Sequence, residues 1–68
     1  MNMTPVSSSN LSSVGYENGT LCIAFNSGGV YYYTGVPRSV YEDLMNADSH
    51  GKYFAKFIRN VYPYQRIR

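Results

Sequence analysis

Apolar positions alternate with period two through the first half of the chain and recur at helical spacing in the second half, and the rhythm changes at Gly35-Val36-Pro37. From Leu11 to Tyr16 the alternation is modest, but Asn18-Gly19 follows. That dipeptide suits a two-residue type I′ turn, because both central positions need positive φ. The resulting hairpin sets Tyr16 opposite Leu21 and Val14 opposite Ile23, so the apolar residues of both strands share one face. In the second strand, Thr20 to Asn26, Leu21, Ile23 and Phe25 form a core face, while Cys22 and Ala24 make a face of small side chains.

Ser27-Gly28-Gly29 then turns the chain into Val30-Tyr31-Tyr32-Tyr33-Thr34, a run rich in strand-favouring residue types that ends at Gly35. Which tyrosines face inward depends on the loop. A two-residue turn aligns Val30 and Tyr32 with Phe25, whereas a three-residue turn with a glycine bulge aligns Tyr31 and Tyr33. The sequence leaves both registers open.

Pro37 suits the first turn of a helix, where its missing N–H would have had no partner, and Val40, Tyr41, Leu44 and Met45 recur at helical spacing as far as Ala47. Asp48-Ser49 interrupts the pattern, and Ser49 can cap a second helix whose apolar face is Tyr53, Phe54, Phe57, Ile58 and Val61. Lys52, Lys56 and Arg59 share the opposite side at i, i+4 and i+7, forming a basic stripe. Pro63 stops that helix. Residues 62–68, Tyr62-Pro63-Tyr64-Gln65-Arg66-Ile67-Arg68, then read as an extended basic tail, and residues 1–9, with Thr4-Pro5 and the Ser7-Ser8-Ser9 triplet, as an irregular lead-in. The predicted architecture is one α+β domain over residues 1–68: a three-stranded antiparallel β-meander followed by two short helices packed on one sheet face.

Composition agrees with a folded chain. A length of 68 residues allows one domain, which buries roughly 60% of the surface its unfolded form exposes. Hydrophobic residues at 44% and charged residues at 15% lie outside the range of disordered chains. Eight Tyr and three Phe with no Trp make tyrosine the residue type to interpret. Cys22 is the only cysteine, which excludes an internal disulfide and a multi-Cys zinc site and fits a reducing, cytoplasmic compartment. No secretory leader and no run of apolar residues long enough to span a bilayer is present, so neither export by that route nor a membrane partner is expected. The net charge is only +2 but unevenly spread: all four acids precede Gly51, and five of the six basic residues follow His50.

Several short motifs fall in a particular order: Pro5-Val6 with Ser7-Ser8-Ser9, Tyr31-x-Tyr33, Gly35-Val36-Pro37, Val40-Tyr41, Ser49-x-Gly51-x-Tyr53-Phe54, Ile58-Arg59 and Tyr62-Pro63-Tyr64. In this order and spacing the chain resembles the KTSC domain family over nearly its whole length. That domain occurs as a small stand-alone bacterial protein or at the C-terminus of some lysyl-tRNA synthetases. The resemblance implies RNA or tRNA as the expected partner and carries over no catalytic residues. The chain departs from the pattern in having Tyr32 between the paired tyrosines.

The candidate chemistry is binding. Lys52, Lys56 and Arg59 with Arg66 and Arg68 could contact phosphates, each contact releasing condensed counterions; the plainer reading is a solvated helix face. Tyrosines on a sheet can stack single-stranded bases, though so small a domain needs most of Tyr16, Tyr31, Tyr32, Tyr33, Tyr41 and Tyr53 in its core. Whichever of Tyr31 or Tyr32 points outward is the stacking candidate on the sheet. Tyr62 and Tyr64 flank Pro63 beside the basic tail and could stack there or pack back on the sheet. Cys22 and His50 lack an orienting acid beyond Asp48, and no metal-ligand spacing exists, so the expectation is a monomeric module with no catalytic residue, metal or cofactor. The alternative is a protein partner, docked through the aromatic tail or a sheet edge.

Overall fold

In a computed structural model, which describes residues 1–68, Asn18 and Gly19 have φ values of 50° and 80°, the left-handed pair that a type I′ turn requires. They join β2 (Leu11–Glu17) to β3 (Thr20–Phe25), and the ladder pairs Tyr16 with Leu21 and Val14 with Ile23 as the sequence predicts. A bulge at Ser12 lets Leu11 pair with Phe25 and Ser13 with Ala24. One extra residue reverses the facing of everything before it, so Leu11 and Val14, three apart, both reach the core.

The loop after β3 is the second of the two predicted turns, three residues long with a glycine bulge at Gly28. Gly28 N–H donates to Phe25 O at 2.9 Å and Phe25 N–H to Gly29 O at 2.8 Å, and Gly28 takes a φ of 106°. β4 (Val30–Tyr33) then pairs Tyr33 with Leu21 and Tyr31 with Ile23, which turns Tyr31 and Tyr33 inward and Tyr32 to the other face. Tyr33 is 4% exposed and Tyr32 36%.

The second half forms α1 (Arg38–Asn46) and α2 (His50–Phe57), both over the same sheet face. Pro37 precedes α1, and its carbonyl accepts from Val40 and Tyr41 N–H. Ser49 caps α2 by accepting from Lys52 N–H at 3.2 Å, and His50 Nδ1 donates to Leu44 O at 2.8 Å, tying the helices together. Leu44, Phe54 and Ile58 from the helical half, with Val36, close over Leu11, Val14, Leu21, Ile23 and Tyr33 in one core. Tyr16 adds a tie from sheet to helix, its ring stacked on Tyr41 at 5.0 Å and its hydroxyl donating to Val36 O at 2.6 Å. The expected apolar face of α2 is narrower than the pattern suggests: Phe57 and Val61 are 45% and 58% exposed, because the helix ends at Phe57 and the chain turns away at Asn60, whose φ is 64°.

The sheet has five strands, not the three the sequence predicts, in the order β1-β2-β3-β4-β5, all antiparallel. The lead-in contributes β1 (Thr4–Pro5), paired with Ser13 and Val14. The tail contributes β5 (Tyr64–Arg66), paired with β4 so that Tyr64 faces Tyr33 and Arg66 faces Tyr31. Both additions are edge strands of two or three residues, too short to leave an alternating pattern; β1 contains Pro5 and β5 follows Pro63, and proline lacks the N–H an inner strand needs. Residues 1–3 cross the sheet face opposite the helices. A Cβ built on Gly15 would meet Met3 Sδ at 2.6 Å and Asn2 O at 3.0 Å, so the lead-in lies directly on the backbone there and helps bury Cys22. No helix is long and apolar enough to cross a membrane.

Candidate nucleic-acid interface

The addition of β5 creates the most distinctive surface of the molecule. Because Tyr64 pairs with Tyr33 and Arg66 with Tyr31, alternate residues of the tail stand on the same side as the inward tyrosines of β4. Their rings cluster, with centroids 5.7 Å apart for Tyr31 and Tyr64, 5.8 Å for Tyr33 and Tyr64, and 6.4 Å for Tyr31 and Tyr33. Phe25 packs edge-on to Tyr31 at 5.5 Å, and Phe54 does the same against Tyr33 at 5.5 Å. Arg66 lies over the Tyr31 ring with its guanidinium carbon 5.9 Å from the centroid.

Opposite β5, the chain leaving α2 supplies the second wall. Arg59 N–H reaches back to Phe54 O at 2.9 Å and Asn60 adopts its left-handed φ, so the backbone departs from the helical path and brings Arg59 and Asn60 to the aromatic cluster. The result is an open cleft of about 550 Å³ with Tyr31, Tyr33, Tyr64, Arg59, Asn60 and Arg66 among its lining. Gly29 forms part of its base. A Cβ there would stand 3.1 Å from Tyr31 Cε1 and 3.7 Å from an Arg66 Nη, so the absence of a side chain lets ring and guanidinium close over the backbone.

The electrostatics of the cleft are one-signed. The ion pairs of the molecule are Arg38 with Glu42 at 3.2 Å and the Met1 amine with Glu17 at 3.7 Å, and neither touches the cleft. Lys52, Lys56, Arg59, Arg66 and Arg68 therefore have no Asp or Glu partner. Burial raises the Tyr33 phenol above its ordinary value, the neighbouring Tyr31 and Tyr64 phenols add to the shift, and Arg59 opposes it. The Tyr33 phenol thus keeps its proton at physiological pH, and Tyr16 is the tyrosine whose hydroxyl is engaged within the molecule.

The residues marked out in the sequence divide into three groups. Arg59, Arg66, Tyr31 and Tyr64 converge on the cleft. Lys52 and Lys56 stay on the outer face of α2, with Lys56 Nζ 5.3 Å from the Phe57 ring, so the stripe runs toward the cleft without lining it. Tyr32 and Arg68 lie on the opposite face of the sheet beside Met1, Met3 and Ile67, and Tyr62 is half-buried against the core. Tyr33, Asn60 and Gly29 were not marked out. An Asn just beyond a helical pattern is a signal for a left-handed helix end, and would have indicated that Arg59 turns off the stripe. Burial also pushes the Cys22 thiol up from its ordinary value, and no three His, Cys, Asp or Glu side chains gather to hold a metal ion.

Fold and cleft together define a class: a small α+β domain whose five-stranded antiparallel sheet carries two helices on one face and an arginine-flanked tyrosine cluster at one edge. Residues 7–62 match the KTSC domain family, and the chain belongs to that family. A crystal structure of a KTSC domain protein from Yersinia pestis superposes with a TM-score of 0.96 at 36% identity, covering 98% of this chain and 97% of that one. An uncharacterized protein of Stutzerimonas stutzeri is 39% identical over 98% of this chain and 99% of its own length. A lysine–tRNA ligase of Nostoc punctiforme is 50% identical over 48 residues, which are 71% of this chain and 9% of the ligase. The chain is therefore similar to one small segment of that enzyme.

Proposed function

We propose that this domain is a non-catalytic RNA-binding module, and that its contact with RNA centres on the cleft between β5 and the chain leaving α2. The observation that carries the proposal is the placement of two unpaired guanidiniums, Arg59 and Arg66, around the rings of Tyr31, Tyr33 and Tyr64. Aromatic faces accept any base by stacking, and arginines beside them neutralise the connecting phosphates. Tyr64 is 61% exposed and offers the open ring face. Lys52 and Lys56 extend the positive surface along α2 and add phosphate contacts without reading sequence. The similarity to a segment of a lysine–tRNA ligase supports RNA as the polymer and tRNA as a substrate for testing. The free Cys22 fits a reducing compartment, and the proposal places the domain in the cytoplasm.

The test is a titration of isotopically labelled protein with an oligouridylate and with tRNA, read by amide chemical shifts. The reading requires the largest shifts at Gly29, Arg59, Asn60 and Arg66. Shifts confined to the opposite sheet face around Tyr32 and Ile67, or none at all, would remove it.

A further inference from the structure

The cleft gathers two guanidiniums with no acidic side chain beside them. Arg59 and Arg66 both border it, and no Asp or Glu lies in its wall. Arg66 Nε donates to the main-chain oxygen of Arg68 at 2.7 Å, which fixes the guanidinium and leaves its Nη groups free. Tyr31, Tyr33 and Tyr64 add three hydroxyl groups able to donate hydrogen bonds. A phosphodiester inside an RNA strand brings one negative charge and two free oxygens to such a set. A phosphomonoester brings a charge of about −1.5 to −2 and three strong acceptor oxygens, which suits two guanidiniums and three hydroxyls far better. The size agrees with this. A volume of about 550 Å³ falls within the roughly 300–1,000 Å³ typical of sites for one small ligand.

We infer that the cleft is a pocket for the terminal phosphomonoester of a nucleotide, with the phosphate held by Arg59 and Arg66 and the attached base on the exposed ring of Tyr64. The inference rests on the RNA-binding reading and narrows it: the domain prefers RNA ends that carry a phosphate. A nucleotide is favoured over a phosphorylated peptide because the open aromatic face stands beside the cations, where a base can stack while its phosphate is bound.

The experiment compares an oligouridylate ending in a 5′-phosphate, the same strand with a 3′-phosphate, and the strand with hydroxyls at both ends. Uridine 5′-monophosphate, uridine and a phosphoserine peptide complete the series, and each is measured against the intact chain and against Arg59→Gln and Arg66→Gln. At least one phosphorylated end should bind about tenfold tighter than the unphosphorylated strand, and either substitution should erase the difference. Uridine 5′-monophosphate should bind and uridine should not. If all three strands bind equally, the end-pocket inference fails while the RNA reading stands. If the mononucleotide binds and no strand does, the pocket stands and the RNA reading fails. Equal binding of the phosphoserine peptide would overturn the assignment to nucleotides. Both substituted side chains are exposed, and unchanged thermal melting confirms that each variant is folded.

Discussion

Tyr31 and Arg66 are direct partners across the β4–β5 ladder, and the Arg66 guanidinium carbon stands 5.9 Å from the centre of the Tyr31 ring. The relationship joins fold to function: the same backbone pairing that secures the tail as a strand sets a cation on an aromatic face at the mouth of the cleft. Ile67 N–H donating to Val30 O at 2.8 Å and Thr34 N–H donating to Pro63 O at 3.1 Å hold the two ends of that pairing.

Gly29 supports both partners, so its substitution reports on the cleft. Its φ is not in the left-handed region, and the cost of Gly29→Ala comes from crowding Tyr31 Cε1 at 3.1 Å. Overpacking of this kind costs about 1–3 kcal/mol. The variant should lower the unfolding free energy from urea titration by that much and weaken RNA binding as well. Undiminished RNA affinity would show that the Tyr31–Arg66 arrangement is not part of the binding surface.

On the other face, Gly15→Ala tests the docking of residues 1–3. The new Cβ would lie 2.6 Å from Met3 Sδ and 3.0 Å from the Asn2 carbonyl, so the lead-in must lift and Cys22 must lose part of its cover. The expected outcomes are a stability loss of about 1–3 kcal/mol and faster alkylation of the Cys22 thiol. Met3→Ala should relieve part of the loss, giving a non-additive double-mutant cycle. Strict additivity would contradict the packing.

Ile58 is fully buried beyond the last residue of α2, where it fixes the segment that delivers Arg59. Ile58→Ala should cost about 2–5 kcal/mol, and in a domain this small that is enough to populate unfolded chains at room temperature. Calorimetry checks the magnitude. A loss below about 1 kcal/mol would mean that the end of α2 is not anchored by this side chain.

The hairpin was legible in the sequence because Asn18-Gly19 forces its geometry and Val14, Tyr16, Leu21 and Ile23 agree with the resulting register. The helices were legible from apolar spacing and from the Ser49 cap. The outer strands were not. Thr4–Pro5 and Tyr64–Arg66 pair through backbone groups alone, and every residue supplies at least a carbonyl acceptor, so no residue pattern announces them. The cleft was missed for the same reason. Arg66, Tyr64 and Arg59 could be singled out one by one as basic or aromatic residues, but only the β4–β5 register and the left-handed Asn60 bring them together. The inward facing of Tyr33 depended on a loop whose length the sequence left open.

Alkaline pH should destabilise the fold. Burial raises the Cys22 thiol above its ordinary 9.0 and the Tyr33 phenol above its ordinary 10.0, so the folded chain keeps protons that the unfolded chain releases. Stability then falls with rising pH once the unfolded groups begin to ionise, and the loss continues until the folded groups ionise too. Urea midpoints measured from neutral pH upward should decline beyond about pH 8.5. Cys22→Ser with Tyr33→Phe should flatten that decline, whereas an unchanged slope in the double variant would assign the effect to other groups.

The most direct measurement is the salt dependence of binding to a 3′-labelled oligouridylate by the intact chain and by Arg59→Ala/Arg66→Ala. Each phosphate contacted on a single strand contributes about −0.7 to the slope of log K against log salt. The two arginines alone give about −1.4, and recruitment of Lys52 and Lys56 brings the slope toward about −2.8. The double variant should bind at least about tenfold more weakly, with a slope shallower by about 1.4. Equal affinity and equal slope for the two proteins, or no measurable binding by the intact chain, would contradict RNA binding through the cleft arginines.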